Sequence, residues 1–113
     1  MYQGYSDSRG LPDDLPRFST DLAHVFVRFR QDLGADLPIV AGHIRELTDA
    51  DKEINRMLDE LAEEDRRLAV VPTRDLEFAP DRDGTPDVHI ALSGCHELGR
   101  RMVAAYETMP RDR

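Results

Sequence analysis

Asp87, Val88 and His89 stand directly before a run that reads as an amphipathic helix. A histidine held beside a carboxylate where a loop enters a helix can be oriented as a general base. The turn-rich run 81–86 leads into the triplet. Ser93 follows, placed to cap the first turn of a helix with Leu98, Met102, Ala105 and Tyr106 on one face. Taken alone, the triplet is also the pattern of a surface or packing histidine.

The second group with chemical potential opens the chain: Met1, Tyr2, Gln3, Gly4, Tyr5, Ser6, Asp7 and Ser8. A backbone-permissive glycine stands here with an amide, hydroxyls and a carboxylate, the materials of a loop that hydrogen-bonds a polar ligand. The alternative is a frayed terminus, since residues 1–17 are dense in turn formers. Other polar groups read as structural. His43 lies in an apolar run and is expected to be a core or partner-facing side chain, and His24 to face solvent from a helix. His89 and His96 with Asp87 or Glu97 match no metal-binding spacing, so no metal is expected. Cys95 has no adjacent base except His96. The acids at 59–60 and 63–65 read as a solvated helix face, and the pairs Arg66-Arg67 and Arg100-Arg101 as solvating cations at helical positions.

The elements that must position these groups follow from periodicity. Phe18, Leu22, Val25, Phe26, Phe29 and Leu33 recur at three- and four-residue steps from about Ser19, and Gly34 closes the run, which predicts a helix. Residues 37–44 are short, apolar and bounded by Gly and Pro, as in a strand buried on both faces. Thr48 with Asp51 resembles a capping box with Asp in place of Glu. It opens a helix over about 49–67, with Ile54, Met57, Leu58, Leu61 and Leu68 continuing an apolar stripe. Residues 68–72 form a second strand, and strand, crossover helix, strand is the signature of a right-handed parallel unit. A last helix spans about 93–107, before Pro110. Two strands leave open edges, so a third strand, a partner chain or a missing segment is expected. The loop over 73–87 leaves the carboxyl end of the second strand, where ligands of open α/β sheets bind.

Composition bounds the rest. A chain of 113 residues fits one small domain. A formal charge of -8 argues against nucleic-acid or anionic-membrane partners, because phosphates need clustered cations. One cysteine excludes an internal disulfide, and nothing near Met1 resembles an export signal or a membrane span. The expected location is therefore the cytoplasm, unless a longer parent carries a signal.

Four ordered blocks together resemble the C-terminal half of sialate O-acetylesterase-like carbohydrate esterases of the SGNH/GDSL hydrolase superfamily. Residues 1–7, Met-Tyr-Gln-Gly-Tyr-Ser-Asp, are similar to a family block reading roughly Trp-His-Gln-Gly-Glu-Ser-Asp. Leu37-Pro38-Ile39-Val40 matches a Leu-Pro-Phe-Val-type strand, and residues 70–76 resemble a strand ending Val-Ser-Thr-x-Asp-Leu. His89, followed by Gly94-Cys95-His96-Glu97-Leu98-Gly99-Arg100-Arg101, is similar to the Asp-x-x-His loop and the helix after it.

The resemblance implies an α/β, three-layer, flavodoxin-like fold with a short parallel sheet flanked by helices. It also implies serine-type hydrolysis of acetyl esters on sugars, without a cofactor. His89 would be the base, Gln3 and the Gly4 backbone would line the oxyanion site, and Ser6 and Asp7 would complete that block. Two positions depart from the pattern. The family's acid lies three residues before the histidine, where this chain has Pro86, leaving Asp87 as the nearest substitute and Asp83 as a second. Tyr5 replaces the block's Glu.

No Gly-x-Ser nucleophile block precedes Gln3, so the expectation is one partial domain over 1–113, weakly active or inactive, acting on an acetylated carbohydrate. A homo-oligomer or a missing N-terminal half could complete it. The alternative function is a non-catalytic module that binds a partner chain through its exposed sheet edge.

Overall fold

The computed structural model describes residues 1, 4, 9–10 and 14–110. Helix α1 spans Asp14–Leu33, strand β1 Ile39–Gly42, helix α2 Asp49–Glu64, strand β2 Leu68–Val71 and helix α3 Leu92–Thr108. The strands pair in parallel, Ile39 beside Leu68 and Gly42 beside Val71. Helix α3 packs on both strands, whereas α2 packs on β2 and carries α1. This is a three-layer α/β arrangement.

The two short apolar runs are buried from both sides, as a strand between helices requires. Ile39, Ala41, Leu68 and Val70 join the core with Phe18, Phe26, Ile54, Met57 and Leu58. Val40 and Val71 join the second core with Leu98, Met102 and Ala105 of α3. Alternate residues of each strand thus serve opposite layers. Gly42 belongs to the α3 side, where an added Cβ would lie 3.5 Å from Leu98 and Met102.

A third strand, a partner chain or a missing segment is expected to cover the sheet edges, and among the described residues the sheet has two strands. Met1 nevertheless lies along the outer edge of β1. Its amine donates to Val40 O at 2.8 Å, and Gly42 N donates to its carbonyl at 2.7 Å. One residue therefore continues the parallel ladder beyond β1.

Helix boundaries differ from the periodic reading for local reasons. Helix α1 begins at Asp14 rather than near Ser19, with Asp14 in the first turn, where the amide dipoles favour an acid, and Pro16 soon after, where no intrahelical donor is lost. Gly34 ends it at a φ of 133°, donating to Arg30 O. The core takes Phe18 and Phe26, while Val25, Phe29 and Leu33 of the expected stripe are exposed, Leu33 to 70%.

Helix α2 starts with the Thr48–Asp51 capping box in place. It stops at Glu64, three residues short of the expected Arg67, because Asp65 turns extended and accepts from Arg67 N at 2.9 Å. Helix α3 starts at Leu92 after Ala91, which supplies no side-chain cap. Ser93 lies within the helix and donates to Glu77 instead of capping the turn.

The arginine pairs do more than solvate a face. Arg67 lies beyond the end of α2 and donates to Asp36 O and Pro110 O, fastening the segment before β1 and the last described residue beside the start of β2. Arg30 ties α1 to Asp65 at 2.5 Å, to Leu37 O and to Arg67 O. Arg101 reaches Asp75 at 2.6 Å, Glu97 at 2.9 Å and Pro72 O at 3.1 Å, holding the segment after β2 against α3.

That cluster predicts acid behaviour. Arg100 and then Arg101 hold the Glu97 carboxyl at about 2, below its ordinary 4.5. Arg101, with the backbone of Asp75, holds the Asp75 carboxyl at about 2 against 3.8. Both values are depressed by folding, so the unfolded chain binds protons first as pH falls. The stabilisation is complete above the ordinary values and disappears as pH drops through about 2. In Arg101→Ala, Asp75 returns toward its ordinary value and Glu97, still held by Arg100, rises part of the way. Carboxyl-carbon NMR titration measures both, and the variant's stability should fall less steeply with acid.

Candidate active site

The segment between β2 and α3 is more ordered than the expected loop. Thr73 is buried and donates to His43 O at 2.9 Å, tying the two strand ends together. Phe78 and Ile90 then form an antiparallel bridge. Ala79 N donates to His89 O at 2.8 Å and Ala91 N to Glu77 O at 3.0 Å. Arg82 and Thr85 exchange two backbone hydrogen bonds of 2.9 Å around Asp83 at φ 53° and Gly84 at φ 77°. Two positive φ values at the centre are the pattern of a type I′ turn, and Asp-Gly is among its preferred pairs. Residues 77–91 are thus a small hairpin, and His89 stands on its returning arm.

The hairpin brings Asp87 and His89 together. Asp87 Oδ1 lies 2.6 Å from His89 Nδ1 and also accepts the His89 backbone N–H at 2.8 Å. These two hydrogen bonds, the backbone one foremost, hold the Asp87 carboxyl below its ordinary value. The Asp87 side chain is 15% exposed and that of His89 83%. With Nδ1–H donated to the carboxylate, Nε2 carries the lone pair and is open to solvent. A neutral imidazole in this tautomer can accept a proton at Nε2 while the acid steadies the cation that forms.

The pair lines a groove of about 710 Å³ with Arg9, Leu47, Thr48, Arg82 and Val88. Pro86, at the position where the family pattern has its acid, lies in the same wall, as does Asp83 at the turn.

Arg9 links the groove to the start of the chain. Its guanidinium binds both oxygens of the buried Asp51, at 2.7 and 3.1 Å. Gly4 packs nearby on the core: it is buried at φ 136°, and an added Cβ would lie 2.5 Å from Ile54 Cγ2 and 3.6 Å from Ile44 Cγ2. Only glycine combines that dihedral with that approach. Of the other residues assigned to this block, Gln3, Ser6 and Asp7 lie outside the described residues.

A larger cleft of about 1170 Å³ opens at the carboxyl ends of both strands, lined by His43, Glu46, Asn55, Thr73, Arg74 and Phe78 among others. Sequence reasoning passed over most of these. Asn55 is buried and brackets Ile44, accepting from its N–H at 2.8 Å and donating to its carbonyl at 2.9 Å. Its amide also donates to Glu46 at 3.0 Å, and this bond leads the causes that hold the Glu46 carboxyl low. A polar residue on the inner side of a helical stripe was the available signal. His43 Nε2 meets Asp59 Oδ1 at 2.7 Å, so its ring serves a local side-chain hydrogen bond.

Cys95 and His96 are exposed on α3. Among the described residues, no three His, Cys, Asp or Glu side chains are grouped to hold a metal ion. No described helix is long and apolar enough to cross a membrane.

Comparison with curated proteins and with solved structures gave no match. A protein-family model described as a carbohydrate esterase, sialic acid-specific acetylesterase, matches residues 1–108. The match covers nearly all of the 113 residues, including the opening block, both strands, the hairpin and α3. The chain belongs to the sialic acid-specific acetylesterase family of carbohydrate esterases.

Proposed function

We propose that this chain supplies the base and the oxyanion loop for serine-type hydrolysis of acetyl esters on a sugar. The observation that carries this reading is the 2.6 Å contact between Asp87 Oδ1 and His89 Nδ1, with Nε2 left open to solvent. As a serine hydroxyl attacks the acetyl carbonyl, Nε2 takes its proton, and the carbonyl oxygen becomes an oxyanion facing donors from Gln3 and the Gly4 backbone. Collapse of that intermediate returns the proton to the departing sugar oxygen. Water then repeats the sequence on the acetyl-enzyme and releases acetate. Asp87 orients the imidazole in place of the acid that the family pattern puts at Pro86. Each step uses protons and donors of protein and substrate, so no cofactor is required.

The attacking hydroxyl comes from outside the described residues. Ser93 is engaged with Glu77, and Ser19 lies on α1 in the opposite layer from α3. Ser6 and Ser8, or a serine of another chain, remain as sources.

The test is acetate release from an O-acetylated sugar by the purified chain, before and after treatment with a fluorophosphonate, which phosphonylates reactive serines as fluoride leaves. Release that the probe abolishes, with label on one serine peptide, supports the proposal. No release and no label would overturn it for the isolated chain. The reading then favoured is a module that pairs with a partner chain, because β2 has no strand on its outer edge among the described residues.

A further inference from the structure

His89 is so exposed that packing does little to fix its ring, and the Asp87 carboxylate orients it. The placement of the Asp87 peptide therefore decides whether the pair forms, and a side chain from outside the hairpin holds that peptide. Arg45, three residues beyond β1, donates from Nη1 to Asp87 O at 2.5 Å. Its guanidinium carbon also lies 4.6 Å from the centroid of the Phe78 ring. Phe78 is on the outgoing arm and Asp87 on the returning arm, so one guanidinium engages both. Its planar fork suits this double duty, donating in plane while a face rests on the ring.

The backbone that launches Arg45 is itself clamped. Ile44, on one side, is buried and bonded through both backbone groups to the Asn55 amide. Glu46, on the other, accepts from the same amide and from Arg74 at 2.8 Å. A side chain leaving so restrained a segment carries the position of the strand end to the hairpin.

We propose that Arg45 is a positioning residue for the His89–Asp87 pair: it fixes the Asp87 peptide so that Oδ1 meets Nδ1, without touching substrate. The consequence for catalysis rests on the function proposed above, whereas the geometric claim does not.

The test is nitrogen-15 NMR of the His89 ring in the full chain at a pH where imidazole is neutral. The wild type should show the Nδ1–H tautomer that the Asp87 contact selects, and Asp87→Asn marks the signal when that acceptor is weakened. Arg45→Met keeps an aliphatic stem over Phe78 and removes the donor. It should move the signal most of the way to that of Asp87→Asn, with the methyl signals of Ile54 and Leu58 unchanged. Arg45→Lys, with one donor and no planar fork, should fall between. If Arg45→Met does not fold, Arg45→Lys decides on the same signal.

A wild-type tautomer in the folded variant overturns the proposal. If the wild type releases acetate, Arg45→Met should lower kcat about tenfold with little change in KM, since an interaction felt only in proton transfer moves kcat. If neither protein releases acetate, the esterase reading fails while the tautomer signal still decides on Arg45.

Discussion

Replacing His89 with alanine should lower acetate release from an O-acetylated sugar by about 10²–10⁴-fold, the range that a positioned general base contributes. The drop should appear in kcat, because in the proposed reaction the imidazole acts as the serine proton moves and not when the sugar binds. Asp87→Asn should give a smaller but clear loss. An amide can offer Nδ1 an oxygen, yet it cannot balance the imidazolium, and a flipped amide presents its NH₂ and selects the wrong tautomer. Fold stability should be nearly unaffected by His89→Ala, since the ring is 83% exposed. A kcat within threefold of wild type would show that another group accepts the proton. The exposed Nε2 makes the comparison clean, with no cavity left behind to confuse activity with folding.

Periodicity located the three helices and two strands, because burial on both sheet faces imposes continuous apolar runs and burial on one helix face imposes a stripe. It gave boundaries less well where side chains compete with the helix, as Asp65 does at the end of α2 by accepting from Arg67 N. It also could not tell which part of the α1 stripe is covered, since Phe26 and Phe29 look alike in sequence and only Phe26 meets α2 and the sheet. The hairpin over 77–91 was hidden by its shortness, since only two isolated bridges join its arms. Asp83-Gly84 between short alternating runs was the readable trace. The contact between Asp87 and His89 was legible from their triplet. The group that holds the Asp87 peptide was not: Arg45 is one of several arginines in an acidic chain, and nothing local marks that its partner is a carbonyl 42 residues away.

The same logic applies to Asp51, whose place in the capping box was legible and whose larger role was not. Asp51→Ala should destabilise the fold by about 3 kcal/mol, the lower end of what is lost when one member of a buried ion pair is removed. The side chain is 0% exposed and, among the described residues, its two oxygens take two hydrogen bonds from Arg9 and one each from Leu47 N and Thr48 N, at 2.7 to 3.1 Å. Alanine deprives those two backbone donors of their acceptor and dissolves half of the capping box, which adds to the loss of the pair. The cost stays near the lower end because Arg9 is 40% exposed and can regain water.

Urea unfolding should show a lower midpoint with an unchanged slope, since the surface buried on folding is nearly the same. A double-mutant cycle with Arg9→Ala separates the pair from the cap, and a coupling of about 1 kcal/mol or more would assign the excess to the guanidinium. The functional consequence follows from position. Arg9, Leu47 and Thr48 line the groove that holds His89 and Asp87, so the buried carboxylate that gathers them also shapes the wall facing His89. Asp51→Asn, which keeps one accepting oxygen, should recover part of the stability and less of the wall, because an amide cannot receive the Arg9 fork at both positions.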